Sequence, residues 1–344
     1  MTTETAVQAE PAERDEVRPR PLAVQRSRNV LQRLGRSVVD RYALLAAMVV
    51  LIGIFSALRP DVFLTAANFT SMLGIQAPLA VLALGVTVVL LVGEFDLSAA
   101  SVMGMSAAVM AYLTTVHEWP VLVALAVVLV SALAIGLTSA FFVVKVGIHS
   151  FIVTLGMGTL VTGAALGVAG STTIGGVPDS LTSVFRTRVL GVDAAFFIML
   201  AIAVIGWIVL QKTPVGRNTY FVGQAPTAAA LAGIKVPSLR VGALVTSSLL
   251  AALAGVMMLG QVGAASPGIA SPYLLPAYAA GFLGATAFTP GRFNVWGTVF
   301  AVYLLAIGTV GFQLLGFSNW VTSVFNGSVL ILAVTFSTIF AKRR

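Results

Sequence analysis

Long apolar runs separated by short polar stretches constrain this chain more than any other feature. A helix needs about 20 mostly apolar residues, with a range of roughly 17 to 25, to cross the hydrocarbon core of a bilayer. Nine segments reach that length or nearly so: 42–58, 71–93, 97–114, 119–144, 151–169, 194–210, 241–260, 295–315 and 320–340. A tenth, Leu274 to Phe288, has only 15 residues and is rich in Gly and Ala, so alone it fits a re-entrant or broken helix. Backbone polar groups in lipid must be paired within their own segment, which makes helices the natural form for these runs. Composition agrees: only 9% of the residues are charged, against roughly a quarter in a soluble domain. The chain reads as an all-α integral membrane protein held in a lipid bilayer.

Charge decides the count. With ten transmembrane helices and the N-terminus inside, the cytoplasmic side receives the eight arginines from Arg14 to Arg41, then Lys145, Lys212, Arg217, Lys235, Arg240, Arg292, Lys342, Arg343 and Arg344. Only Arg59, Arg186 and Arg188 fall outside, the asymmetry that the positive-inside rule describes. If the short segment did not cross, the basic C-terminus would move outside and the bias would weaken. About ten spans with N- and C-termini cytoplasmic is the expectation. Residues 1–41, with six acids and eight arginines, read as a mobile charged cytoplasmic tail. Residues 42–340 form the transmembrane domain, and 341–344 a basic cytoplasmic tail. The first apolar run begins too late for a cleaved secretory signal and is expected to serve as an anchor.

The net charge of +8 comes from basic residues in short stretches beside apolar runs, not from a continuous basic face, so no nucleic acid is expected as a partner. The chain has no cysteine, and its two histidines, His117 and His149, stand without a second ligand at metal-binding spacing. No metal, no cofactor and no catalytic group is assigned. There is no G-x-x-x-x-G-K-[ST] phosphate loop, and the nearest approach to G-x-G-x-x-G, at Gly156-Met157-Gly158, has Val161 where the third glycine belongs. Carboxylates inside the apolar runs are almost absent, which removes a chain of intramembrane proton carriers.

The longest polar island, residues 211–240, contains the sharpest local signals. Pro226 suits a first helical turn and Gly233 a left-handed helix end, so Thr227 to Ala232 reads as a short helix outside the bilayer. An ordinary connecting loop is the alternative. In Gly93-Glu94-Phe95-Asp96-Leu97-Ser98, Asp96 with Ser98 reads as a cytoplasmic turn and cap for a helix starting at Leu97. Glu94 and Asp96 are also placed to pair with basic loops such as that of Arg217. Small residues four apart, Gly163 with Gly167 and Ala100 with Gly104, allow close helix approach and are expected to pack within the chain. Trp119, Trp296 and Trp320 read as interfacial anchors.

Four segments, taken together and in order, resemble the permease subunit of ATP-binding-cassette importers for monosaccharides of the ribose, xylose and galactose type. They are Gly93 to Ser98, Phe151-Ile152-Val153-Thr154-Leu155-Gly156, Gly216-Arg217 through Gly233-Ile234, and Gly291-Arg292 with Trp296-Gly297-Thr298. The resemblance implies a permease homodimer, an ABC ATPase subunit beneath it and an extracytoplasmic substrate-binding protein above. It also implies that the short helix is the coupling helix docking on the ATPase. Gly216, Arg217, Gly223, Ala228, Ala229, Gly233 and Ile234, with Pro226 opening the helix, match the coupling pattern. Ala229 is expected as a small contact in the ATPase groove. Ala225, Thr227 and Ala230 depart from the pattern, where related permeases often carry Asn, Glu and Arg, and Glu94 stands where Gly is more common. Arg186 and Arg188, in the loop 170–193, become possible contacts for the binding protein, or partners of Asp179, Asp193 or lipid phosphates. Permeases for a nucleoside, a polyol or a branched-chain amino acid, and an ion-coupled secondary transporter, are the competing readings.

Overall fold

The computed structural model describes residues 44–289 and 291–342; the expected tail 1–41 and the terminal Arg343 and Arg344 lie outside the described residues. The chain folds as helices throughout: α1 (Leu44–Leu58), α2 (Pro60–Phe63), α3 (Ala66–Ile75), α4 (Ala77–Leu91), α5 (Ala99–Ala111), α6 (Val121–Ala140), α7 (Ser150–Ala169), α8 (Asp179–Arg186), α9 (Ala194–Lys212), α10 (Pro214–Gln224), α11 (Pro226–Leu231), α12 (Val236–Val262), α13 (Leu274–Gly284), α14 (Val295–Leu314) and α15 (Asn319–Lys342). The ends of α5 and α6 continue into single π-helical stretches, Tyr112–Val116 and Phe141–Val146. Two-residue strands complete the set: β1 (Ile174–Gly175), β2 (Arg188–Val189), β3 (Val192–Asp193) and β4 (Ala264–Ala265), paired β1 with β4 and β2 with β3, both antiparallel.

Seven helices among the described residues are long and apolar enough to cross a membrane, and eight if α3 and α4 count as one bent span. The sequence suggested one straight run from Ser71 to Gly93; the chain instead turns by 42° between Ile75 and Ala77. Pro78 explains the break, because its ring excludes the carbonyl four residues back and it has no N–H to donate there. That carbonyl, on Gly74, is taken up by Gln261 Nε2 at 2.7 Å, and the neighbouring Leu73 carbonyl accepts from Tyr303 Oη at 2.9 Å. α13 is also short, 11 residues, or about 16 Å of helix.

α4 lies at the centre, with every residue but Val88 buried. α12 packs against α4, α5 and α6, and α13 against α4, α14 and α15. Gly104 follows the expected small-residue packing, lying against the Pro267 carbonyl. Gly163 and Gly167 do not: among the described residues no atom of another element comes near either, so this face of α7 is uncovered by them. Trp119 and Trp320 are exposed and Trp296 is partly covered.

Candidate functional site

The polar island is more structured than its sequence suggested. Thr213 Oγ1 accepts from Gly216 N at 3.4 Å and Pro214 takes the first helical position, which starts α10 in a stretch read from the sequence only as part of the polar island. The pair Thr213-Pro214 was the available signal. α11 follows at Pro226 and ends as expected at Gly233, whose φ is +80°. Ile234 N bonds to Ala229 O and Gly233 N to Ala230 O, both at 3.0 Å, the two crossed bonds that close a helix over a left-handed residue.

α10 and α11 are fastened to the helical body on one side. Gly216 lies against the Leu210 carbonyl and Gly223 against the Leu91 carbonyl, so closely that a Cβ on either would overlap backbone. Val222 and Ala229 are buried with Val89, Val92, Val143 and Leu244, and Ile234 packs on the same cluster. Ala229, expected to meet an ATPase groove, is therefore covered by its own chain at 0% exposure. The free face consists of Thr227, Ala228, Ala230 and Leu231, the last 87% exposed. Arg217 is exposed and has no ion-pair partner among the described residues.

The connection from α4 to α5, residues 92–98, reaches four helices while lying mostly buried. Val92 belongs to the cluster beneath α11. Glu94, only 5% exposed, meets Arg240 Nη2 of α12 at 2.6 Å, at the end of the basic stretch 211–240 that also holds Arg217. Phe95 N donates to Ser150 Oγ at 3.1 Å and Leu97 N to Thr154 Oγ1 at 3.0 Å, joining the segment to the start of α7. Asp96 N donates to Tyr278 Oη of α13 at 2.9 Å, and the Phe95 and Tyr278 rings stack 6.1 Å apart. Asp96 Oδ1 accepts from Ser98 N at 3.0 Å and from Ser98 Oγ at 2.5 Å. It thus shapes the turn before the helix, which begins at Ala99 and not at Leu97.

The turn between α13 and α14 meets the other side of α10. Tyr220 Oη donates to Phe293 O at 2.9 Å, and the Arg292 guanidinium lies 5.3 Å from the centre of the Tyr220 ring. Burial raises the Tyr220 pKa above its ordinary value, and the nearby Arg292 opposes the rise. Asn294 Oδ1 caps α14 through Gly297 N at 2.7 Å, while its Nδ2 donates to Gly284 O at 3.0 Å and Ala287 O at 3.1 Å. Thr298 Oγ1 reaches Thr87 Oγ1 of α4 at 2.9 Å.

Arg186 and Arg188 lie elsewhere, at the opposite end of α9 from the island. Arg186 Nε donates to Gln261 O at 2.9 Å, and Arg188 stands 3.9 Å from Asp193, its side chain 75% exposed. With Ser71, Ile75 and Gln261 they line a hollow of about 330 Å³. A larger cavity of about 520 Å³ opens between α4, α9, α10 and α12, with walls such as Leu84, Val88, Ile202 and Leu239 and few hydroxyls, among them Thr87 and Thr246. Such walls suit apolar groups better than a polyhydroxylated solute. The arrangement offers a continuous series of contacts from an exposed short helix into the helical body.

Residues 68–334 match the family described as the branched-chain amino acid transport system / permease component. The chain is 29% identical over 305 residues to the ribose import permease protein RbsC of Haemophilus influenzae, covering 88% of this chain and 94% of that one. It is 31% identical over 294 residues to RbsC of Escherichia coli K12, covering 84% and 91%. To the D-allose transport system permease protein AlsC of the same organism it is 27% identical over 307 residues, covering 88% and 93%. No solved structure matches the chain.

Proposed function

The chain belongs to the family of branched-chain amino acid transport system permease components, and from that premise we propose that it carries a monosaccharide inward as the permease subunit of a binding-protein-dependent ABC importer. It is a multi-pass protein of the bacterial cell membrane and a transport subunit. The observation that carries the sugar reading is the near full-length likeness to permeases for ribose and D-allose. A separate ABC ATPase hydrolyses ATP, and an extracytoplasmic substrate-binding protein delivers the solute. Two permease copies surround the pathway; the free face of α7 at Gly163 and Gly167 supports this. The family description favours a second reading, a branched-chain amino acid as the solute.

In the membrane the chain makes ten crossings: the seven long helices, the bent α3–α4 pair, α1 and α13. Both termini are cytoplasmic, with residues 1–41 a charged tail, 42–340 the transmembrane domain and 341–344 a basic tail. α10 and α11, within 211–240, form the coupling element. Gly216, Gly223, Val222 and Ala229 seat it on the helical body, while Ala228, Leu231 and Arg217 face the ATPase. The shared ends of Pro226, Gly233 and Ile234 set its angle. Asp96 and Ser98 shape the adjoining turn, and Arg186 and Arg188 face the binding protein.

The test is reconstitution in lipid vesicles with the ATPase and binding protein encoded alongside. Labelled ribose or allose accumulates only with all components and ATP. Uptake of leucine in place of sugar supports the second reading, and uptake by the chain alone under an ion gradient overturns both. In this cysteine-free chain, single cysteines at positions 186, 217 and 344 test orientation: an impermeant thiol reagent on intact cells labels position 186 alone.

A further inference from the structure

Residues 92–98 form a connection that touches both the polar island and the deep helices. Its first residue, Val92, lies in the cluster that seats α11, and Leu91 O carries Gly223 of α10. Its later residues hold α7 through Ser150 and Thr154 and α13 through Tyr278. Between these two sets of contacts sits Glu94, nearly buried, at 2.6 Å from Arg240 in the second turn of α12. α12 follows α11 after residues 232–235, so Arg240 stands at the end of the island, only nine residues past the end of α11. The ion pair therefore closes a loop: island to connection through apolar packing, and island to connection again through α12 and a charge. A segment held at two points follows the rotation of what holds it as well as its displacement, whereas the apolar contacts alone leave the small side chains of α11 free to slide.

We propose that Glu94 and Arg240 are a positioning pair for transport, making the island and the 92–98 connection move as one body so that motion at α10–α11 reaches α7 and α13. This deepens, and rests on, the reading of α10–α11 as the coupling element. Glu94 touches no solute and takes part in no chemistry; it acts through Arg240 on the segment that carries Asp96 and Phe95.

The experiment reads solute moved per ATP hydrolysed by the complete reconstituted complex, together with the melting temperature of the purified permease. In E94Q, R240Q and E94Q/R240Q the ATPase continues to turn over and the ratio falls by about fivefold or more, the lower end for coupling between two sites. The double variant loses no more than either single one, because the pair acts as a unit. A wild-type ratio in the double variant overturns the proposal, whatever happens to melting; a lowered melting temperature with an unchanged ratio assigns the pair a structural role only. If E94Q does not accumulate, R240Q carries the same two outcomes, since its side chain is 37% exposed in the parent and solvent replaces the lost partner. A wild-type complex that hydrolyses no ATP would instead sink the importer reading itself.

Discussion

α12 meets an arginine contact at each end, and the two differ. In its second turn it presents Arg240 to Glu94, a carboxylate almost removed from solvent, at 2.6 Å. At its last turn it receives Arg186, an exposed residue that donates to the backbone of Gln261, beside an Arg188–Asp193 pair stretched to 3.9 Å and open to water. The first end is backbone-on-backbone contact around a buried charge. At the second, Phe185 is buried against Gly260, but the arginine contacts themselves lie open to solvent. Exposed ion pairs contribute about 0–1 kcal/mol, while removing one partner of a buried pair costs several times that. The island end is built to hold a shape, whereas the arginines of the 170–193 end are free to change partners.

That contrast breaks down if substitutions at the two ends cost the same. The largest effect is expected from Ala229→Glu, which places an unpaired carboxylate among Val92, Val143 and Leu244. Its cost is on the order of 3 kcal/mol or more. Thermal unfolding in detergent should show a clear loss, and uptake should vanish; retention of both would mean that α11 lifts away from the body easily. Next comes Gly223→Val, whose side chain has no room beside the Leu91 carbonyl; overpacking of this kind costs about 1–3 kcal/mol. Gly233→Val follows at about 1–2 kcal/mol for a left-handed position, where the space around the residue is open and only its φ of +80° is strained. Membrane abundance should survive this change while uptake falls, and normal uptake would remove the need for a fixed α11 angle. The smallest effect belongs to Arg188→Ala, within about 0.5 kcal/mol, measured by the same unfolding experiment. Here only the affinity for the binding protein should change, and a stability loss as large as that of Gly233→Val would erase the contrast.

Much of this architecture is legible in the sequence because apolar length and loop charge are strong signals: the starts and ends of α6, α7, α9 and α14 fall within a few residues of the runs read from composition. Gly233 was equally legible, since few residues other than glycine take its conformation. Three features were not. The break at Gln76 hides inside a continuous apolar run, where Pro78 alone does not say whether a neighbour will supply the missing hydrogen bond, as Gln261 does. The buried side of α11 is unreadable because Thr227 to Ala232 offers mostly small side chains, with no apolar stripe to orient it. The partner of Glu94 depends on how α4 and α12 lie together, which neither run encodes locally.

Asn294 is constrained by what its chemistry forbids. Its oxygen closes the start of α14 while its nitrogen donates to the carbonyls of Gly284, at the end of α13, and Ala287. An amide can do this in one orientation only: turned over, it would set donor against donor at one helix and acceptor against acceptor at the other. Aspartate has the same outline but no hydrogen to give, and serine caps without reaching back. The bend between α13 and α14 is thus written in a single residue with no synonym, so that this corner, unlike the adaptable apolar helices around it, has almost no room to drift while keeping its form.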